Sequence, residues 1–177
     1  MTYTWIAAAS VLLLTACERE VQSLDESGLI SITSLATSIQ DDLVENSVAV
    51  TSVTQPGIIF GLNDSGHDAR LFAFDSTGQP RGTWMVSGAR NRDWEAAALG
   101  PCRPSDSAQS CLYIGDVGDN DARKDHVSIY RLPEPRVDSI PDDRLLPARR
   151  LDFRYADHPH DVEALYVARD GSVILIT

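Results

Sequence analysis

Asp93-Trp94-Glu95-Ala96-Ala97 opens a segment that returns as Leu112-Tyr113-Ile114-Gly115-Asp116, and the same order of residue types occurs on either side of it. Upstream, Glu45-Asn46-Ser47-Val48-Ala49 leads through a Gln55-Pro56-Gly57 turn to Ile58-Ile59-Phe60-Gly61-Leu62-Asn63-Asp64. Downstream, Asp161-Val162-Glu163-Ala164-Leu165 leads through Arg169-Asp170-Gly171 to Val173-Ile174-Leu175-Ile176-Thr177. Each copy has an acidic start, a strand, a turn and a second strand, with Gly or Pro where a hairpin needs them. The second halves also match: Arg70-Leu71-Phe72-Ala73-Phe74-Asp75 with Ser128-Ile129-Tyr130-Arg131-Leu132-Pro133, and Thr83-Trp84-Met85-Val86 with Leu151-Asp152-Phe153-Arg154. The copies begin at residues 45, 93 and 161, and a cysteine loop, a turn at 119–126 and an excursion at 133–147 lengthen the second.

Four short strands per unit of about 40–50 residues is the signature of a propeller blade. The expected fold is therefore all-β: a β-propeller with four-stranded blades over residues 45–177, incomplete in this chain. Residues 45–92 and 93–160 supply two full blades, and the hairpin from 161 begins a third. A β-sandwich also uses four-stranded meanders, but it gives no reason for the repeated acidic starts. Trp94 is expected to pack between blades. Propellers close with about four to eight blades, and the apolar strand at 173–176 would be an open edge. The chain is thus expected to be part of a longer reading frame or to be completed by other chains.

The N-terminus reads as an address. Residues 6–14 form an apolar run too short to span a bilayer, and it ends in Leu14-Thr15-Ala16-Cys17. That ending resembles the lipobox of bacterial lipoproteins, in which the cysteine thiol receives a diacylglycerol and cleavage precedes it. The implied organisation is a lipoprotein signal peptide over 1–16 and a lipid-anchored tether with a lead-in strand over 17–44. Residues 1–5 depart from the pattern in carrying no Lys or Arg. Under Gram-negative sorting rules, Glu18 in place of Asp directs the chain to the periplasmic side of the outer membrane. The expected location is the cell envelope.

With Cys17 lipidated, Cys102 and Cys111 remain of the three cysteines. They flank a Pro/Ser/Asp loop, and an oxidising compartment lets them bridge across the base of a hairpin. No third and fourth ligand sits at zinc spacing. The chain has 26 acidic and 15 basic side chains and a net charge of -11, which repels phosphate backbones and argues against nucleic acid. Cations are the natural partners, beside the membrane and a small molecule or envelope protein.

In a blade, the residues before the innermost strand and after the second lie on one face. The repeat therefore gathers Glu95, Glu163, Asp116, Asn63 and Asn120, with Asp64, Asp93, Asp119 and Asp161 on the same acidic rim. Clustered carboxylates repel unless protonated or bound to a cation, and oxygen ligands suit Ca²⁺ or Mg²⁺. Arg90 and Arg92 read as the only basic groups nearby. Other readings fail: Asp116-Val117-Gly118-Asp119-Asn120-Asp121 lacks the Gly and Glu of a helix–loop–helix calcium loop, and no Gly-x-Ser-x-Gly elbow is present. His158-Pro159-His160-Asp161 reads as a loop sooner than as a zinc site.

Asn63-Asp64-Ser65-Gly66, Arg92-Asp93-Trp94-Glu95, Tyr113-Ile114-Gly115-Asp116-Val117-Gly118-Asp119-Asn120 and His160-Asp161-Val162-Glu163-Ala164-Leu165 together resemble a group of bacterial exported β-propeller proteins. More distantly they are similar to phytase-like esterase and gluconolactonase-type propellers. The resemblance implies a divalent ion on the axis, held by a Glu entering an inner strand and by Asn or Asp from other blades. Glu95 and Glu163 match that pattern, whereas Ser47 stands where a third Glu is expected. Two functions follow as expectations. One is an envelope binding module pinned by a cation. The other is a metal-dependent hydrolase of esters, lactones or phosphoesters, with Asp93 as base. The first is favoured, because no nucleophile or cationic clamp is visible in the sequence.

Overall fold

The computed structural model describes residues 34, 37, 38, 40–104 and 108–177. The expected signal segment, Cys17 and the apolar positions of the expected lead-in strand (Leu29, Ile30, Ile32, Leu35) lie outside the described residues. Residues 36–177 form one compact unit, all-β among the described residues.

The first sheet is a meander of β1 (Asn46–Thr51), β2 (Ile58–Asn63), β3 (Arg70–Asp75) and β4 (Pro80–Ser87), each antiparallel to the last. The second repeats it with β5 (Trp94–Pro101), β6 (Ser110–Asp116), β7 (Val127–Pro133) and β9 (Arg149–Phe153). A third begins as the hairpin of β10 (Ala164–Val167) and β11 (Val173–Ile176). Gly57 and Gly171 occupy equivalent hairpin turns with φ of 81° and 84°, a conformation that favours glycine. Along β5, Trp94 is buried on one face and Ala96 and Ala98 on the other.

The second sheet is covered on both faces. One core joins Phe60, Leu62, Leu71 and Trp84 of the first sheet to Trp94, Leu112, Ile114 and Tyr130 of the second. Another joins Ala96, Tyr113, Val117 and Ile129 to Val162, Leu165 and Val167 of the third. This is why Cys111-Leu112-Tyr113-Ile114 is apolar without alternation: a strand between two layers buries both faces. β5, the first strand of the second sheet, packs beside β1 on one side and β10 on the other. Cys102 and Cys111 form a disulfide across the base of the β5–β6 hairpin, with Cα atoms 4.9 Å apart.

The excursion at 133–147 contains a strand that no sequence pattern announced. β8 (Leu145–Pro147) leaves the second sheet and pairs in parallel with β4, Met85 facing Leu145. It covers the edge of β4 and becomes the short, proline-ended edge of a five-stranded sheet. The approach is stitched down. The Trp84 indole N–H donates to the Pro141 carbonyl (3.1 Å), and the Gln55 amide donates to the Pro135 carbonyl (2.7 Å) while accepting from the Val137 N–H (2.9 Å). The Glu134 carboxylate accepts from the Ser52 and Thr54 hydroxyls.

Candidate metal centre

The first strands of both meanders, β1 and β5, begin with the same irregularity. Asn46 and Val48 pair with Asn63 and Leu62, and Trp94 and Ala96 pair with Asp116 and Gly115, so Ser47 and Glu95 are the extra residues of equivalent β-bulges. A bulge re-aims its side chain. In the first sheet the Ser47 hydroxyl donates to the Trp94 carbonyl at 2.7 Å and ties β1 to β5. In the second the re-aimed group is the Glu95 carboxyl.

Glu95 meets Asp64 and Asp93, and one carboxylate oxygen of each lies within 4.8 Å of the others. Each partner is held by its own set of bonds. The Asp64 N–H donates to the Glu45 carbonyl at 2.8 Å. The Asn91 amide donates to the Asn63 and Asp64 carbonyls (2.9 and 2.6 Å), and its oxygen accepts from the Trp94 N–H at 3.2 Å. Asn91 thus fastens the end of β2 to the start of β5. The Asp93 N–H donates to Asp116 at 2.8 Å, and the Asp93 carbonyl accepts from the N–H groups of Val117 and Gly118. Gly118 lies against the carboxylates: a Cβ there would come 2.6 Å from Glu95 Cγ and 2.8 Å from Asp93 Cγ.

The remaining expected residues hold the loops. Asn63 accepts from the Glu45 N–H (3.1 Å) and donates to the Asp42 carbonyl (2.7 Å). Asp116, its side chain 1% exposed, accepts from Asp93 and pairs with Arg92 at 3.3 Å. The Asp161 carboxylate accepts from the Asp119 N–H at 2.6 Å, and Asp119 in turn accepts from the Lys124 N–H at 2.7 Å. Asn120 is exposed. Glu163 is exposed, and its charge acts on Glu95.

Arg90 and Arg92 are not the only cations near the rim. Lys124 reaches back from the β6–β7 loop, and its ammonium donates to Asp93 Oδ2 at 2.7 Å and to the Gly118 carbonyl. Asn91, Gly118 and Lys124 were not expected as site residues.

Burial pushes the Glu95 carboxyl up to about 7, helped by the charges of Asp64 and Glu163 and by a carboxyl–carboxylate hydrogen bond to Asp64. A carboxyl whose pKa is raised on folding favours the fold while protonated. The contribution is complete below the ordinary value of 4.5 and is lost as pH rises through about 7. In the presence of chelator, the melting temperature of the wild type should fall across that window. Glu95→Gln should flatten the fall, and an equal slope in both proteins would remove Glu95 as its origin.

Comparison with protein-family models, with curated proteins and with solved structures finds no match to this chain.

Proposed function

We propose that the chain is an envelope module, anchored through Cys17 and built as part of a β-propeller, that holds a divalent cation through Asp64, Asp93 and Glu95 with Glu163 facing them. The observation that carries this reading is the meeting of three carboxylates from the ends of two successive sheets. Like charges so placed are costly without a proton or a cation between them. Below about pH 7 Glu95 holds a proton when no cation is bound, and Lys124 pairs with Asp93. An all-oxygen set suits Ca²⁺ or Mg²⁺. Three features support the propeller: repeated four-stranded meanders, inner strands β1, β5 and β10 side by side, and a middle sheet covered on both faces.

Lys124 favours a second reading, metal-dependent hydrolysis of an ester, lactone or phosphoester. It supplies the positive group beside Asp93 that the sequence did not reveal, and such a group would face the charge that develops on a scissile oxygen.

The cation is tested by thermal melting of the full chain with calcium or chelator. At a dissociation constant of about 10⁻³ M and about 10 mM calcium, mass action adds about 1.4 kcal/mol. The wild-type midpoint should rise by several degrees. The rise should vanish in Glu95→Gln and Asp93→Asn. Identical wild-type melting with calcium and with chelator would remove the cation from the proposal.

A further inference from the structure

A second cluster lies on the loop between β9 and β10, just before the rim residue Asp161, and is built from different chemistry. Asp157, His158 and His160 each place one ligand atom within 4.8 Å of the others. His160 Nε2 is 3.0 Å from Asp157 Oδ1, and His158 Nδ1 is 3.3 Å from Asp157 Oδ2. The two imidazole rings are 4.3 Å apart. Two ligands each about 2.0–2.1 Å from a tetrahedral ion lie about 3.3 Å from one another. These contacts, the first a hydrogen bond, already gather the three side chains at about that separation.

We propose that Asp157, His158 and His160 form a binding site for a borderline transition-metal ion, zinc or copper(II), independent of the oxygen site at Glu95. Two imidazoles and one carboxylate are the donor set such ions take, whereas calcium and magnesium favour oxygen alone. The loop is prepared for it. Pro159 stands between the histidines and restricts the backbone of His158 to extended conformations. The His160 ring is anchored edge-on against Tyr155, centroids 4.8 Å apart, and Tyr155 packs on Phe153 at 5.8 Å. His160 is held from the core side, its side chain 26% exposed, while His158 at 70% and Asp157 at 61% face water. Solvent can supply the fourth ligand. The other two histidines, His67 and His126, lie on different loops.

The test is a zinc titration of the full chain against a chromogenic chelator, with calcium in excess to saturate the oxygen site. Wild type should take up one zinc. Loss of a direct ligand should weaken binding by more than the roughly 10- to 100-fold that loss of a supporting partner costs. His158→Ala decides the matter, because its side chain is exposed and its loss should leave the melting temperature unchanged, whereas Asp157→Asn also loses the bond to His160 and is read beside its own melting temperature. His126→Ala should bind as wild type. Cobalt(II) added in place of zinc should give visible absorption bands that disappear in His158→Ala. No zinc uptake by wild type, uptake unchanged in His158→Ala, or uptake lost in Glu95→Gln but kept in His158→Ala would each overturn the assignment. Calcium stabilisation is read separately, so either site can fail without the other.

Discussion

Trp94→Ala should lower stability by about 3–5 kcal/mol, the range for truncating a buried large aromatic. Against a typical total of about 5–15 kcal/mol this is a large share. Trp94 is 0% exposed and sits in the core between the first two sheets, its ring tilted against Tyr130 with centroids 6.1 Å apart. Its indole N–H donates to the Arg90 carbonyl at 3.1 Å, so alanine also leaves that carbonyl without its partner. The main chain of Trp94 receives Ser47 and gives to Asn91, so its displacement disturbs Asp93 and Glu95 on either side. Urea denaturation of wild type, Trp94→Ala and Trp94→Phe measures the loss. Phenylalanine should recover more than half of it by refilling the core. A cost below about 1 kcal/mol for alanine, the size of an average substitution, would mean that the two sheets do not share this core.

Gly118→Ala should cost less stability and remove more of the calcium response. The new methyl would stand 2.6 Å from Glu95 Cγ and 2.8 Å from Asp93 Cγ, distances that force one or both side chains aside. Overpacking of this kind costs about 1–3 kcal/mol. The sharper effect is geometric: the carboxylates that meet within 4.8 Å are spread apart, so the calcium-induced rise in melting temperature should fall by at least half. A full wild-type response in Gly118→Ala would show that the ion is held without Asp93 and Glu95 in their present places.

The repeat made the meanders legible because strands of one face-to-face stack share alternation, turn glycines and acidic starts. The Pro/Ser/Asp loop between Cys102 and Cys111 made the disulfide legible for the same local reason. Three things escaped. The three-residue strand β8 ends in proline and follows no alternation, and its partner lies 60 residues back, opposite Met85. The choice among neighbouring acids also escaped. Asn63 and Asp64 are adjacent, and side chains alternate along a strand, but the bulges at Ser47 and Glu95 decide which of the rim residues face one another. Asp116 carries the right chemistry, yet it is consumed in holding Asp93 and Arg92. Lys124 escaped because its reach depends on the shape of a loop, and charge in a sequence does not say where a flexible stem will end.

The parallel strand β8 ties the order of synthesis to the order of folding. The outer edge of the first sheet is covered by residues that come after most of the second has been made. Pairing across so long a separation requires loop closure before it gives any return, which slows assembly. It also makes the two sheets partners in one cooperative transition. A nick in the 133–147 crossing would uncover the edge of β4, although the cut lies in a connection of the other sheet.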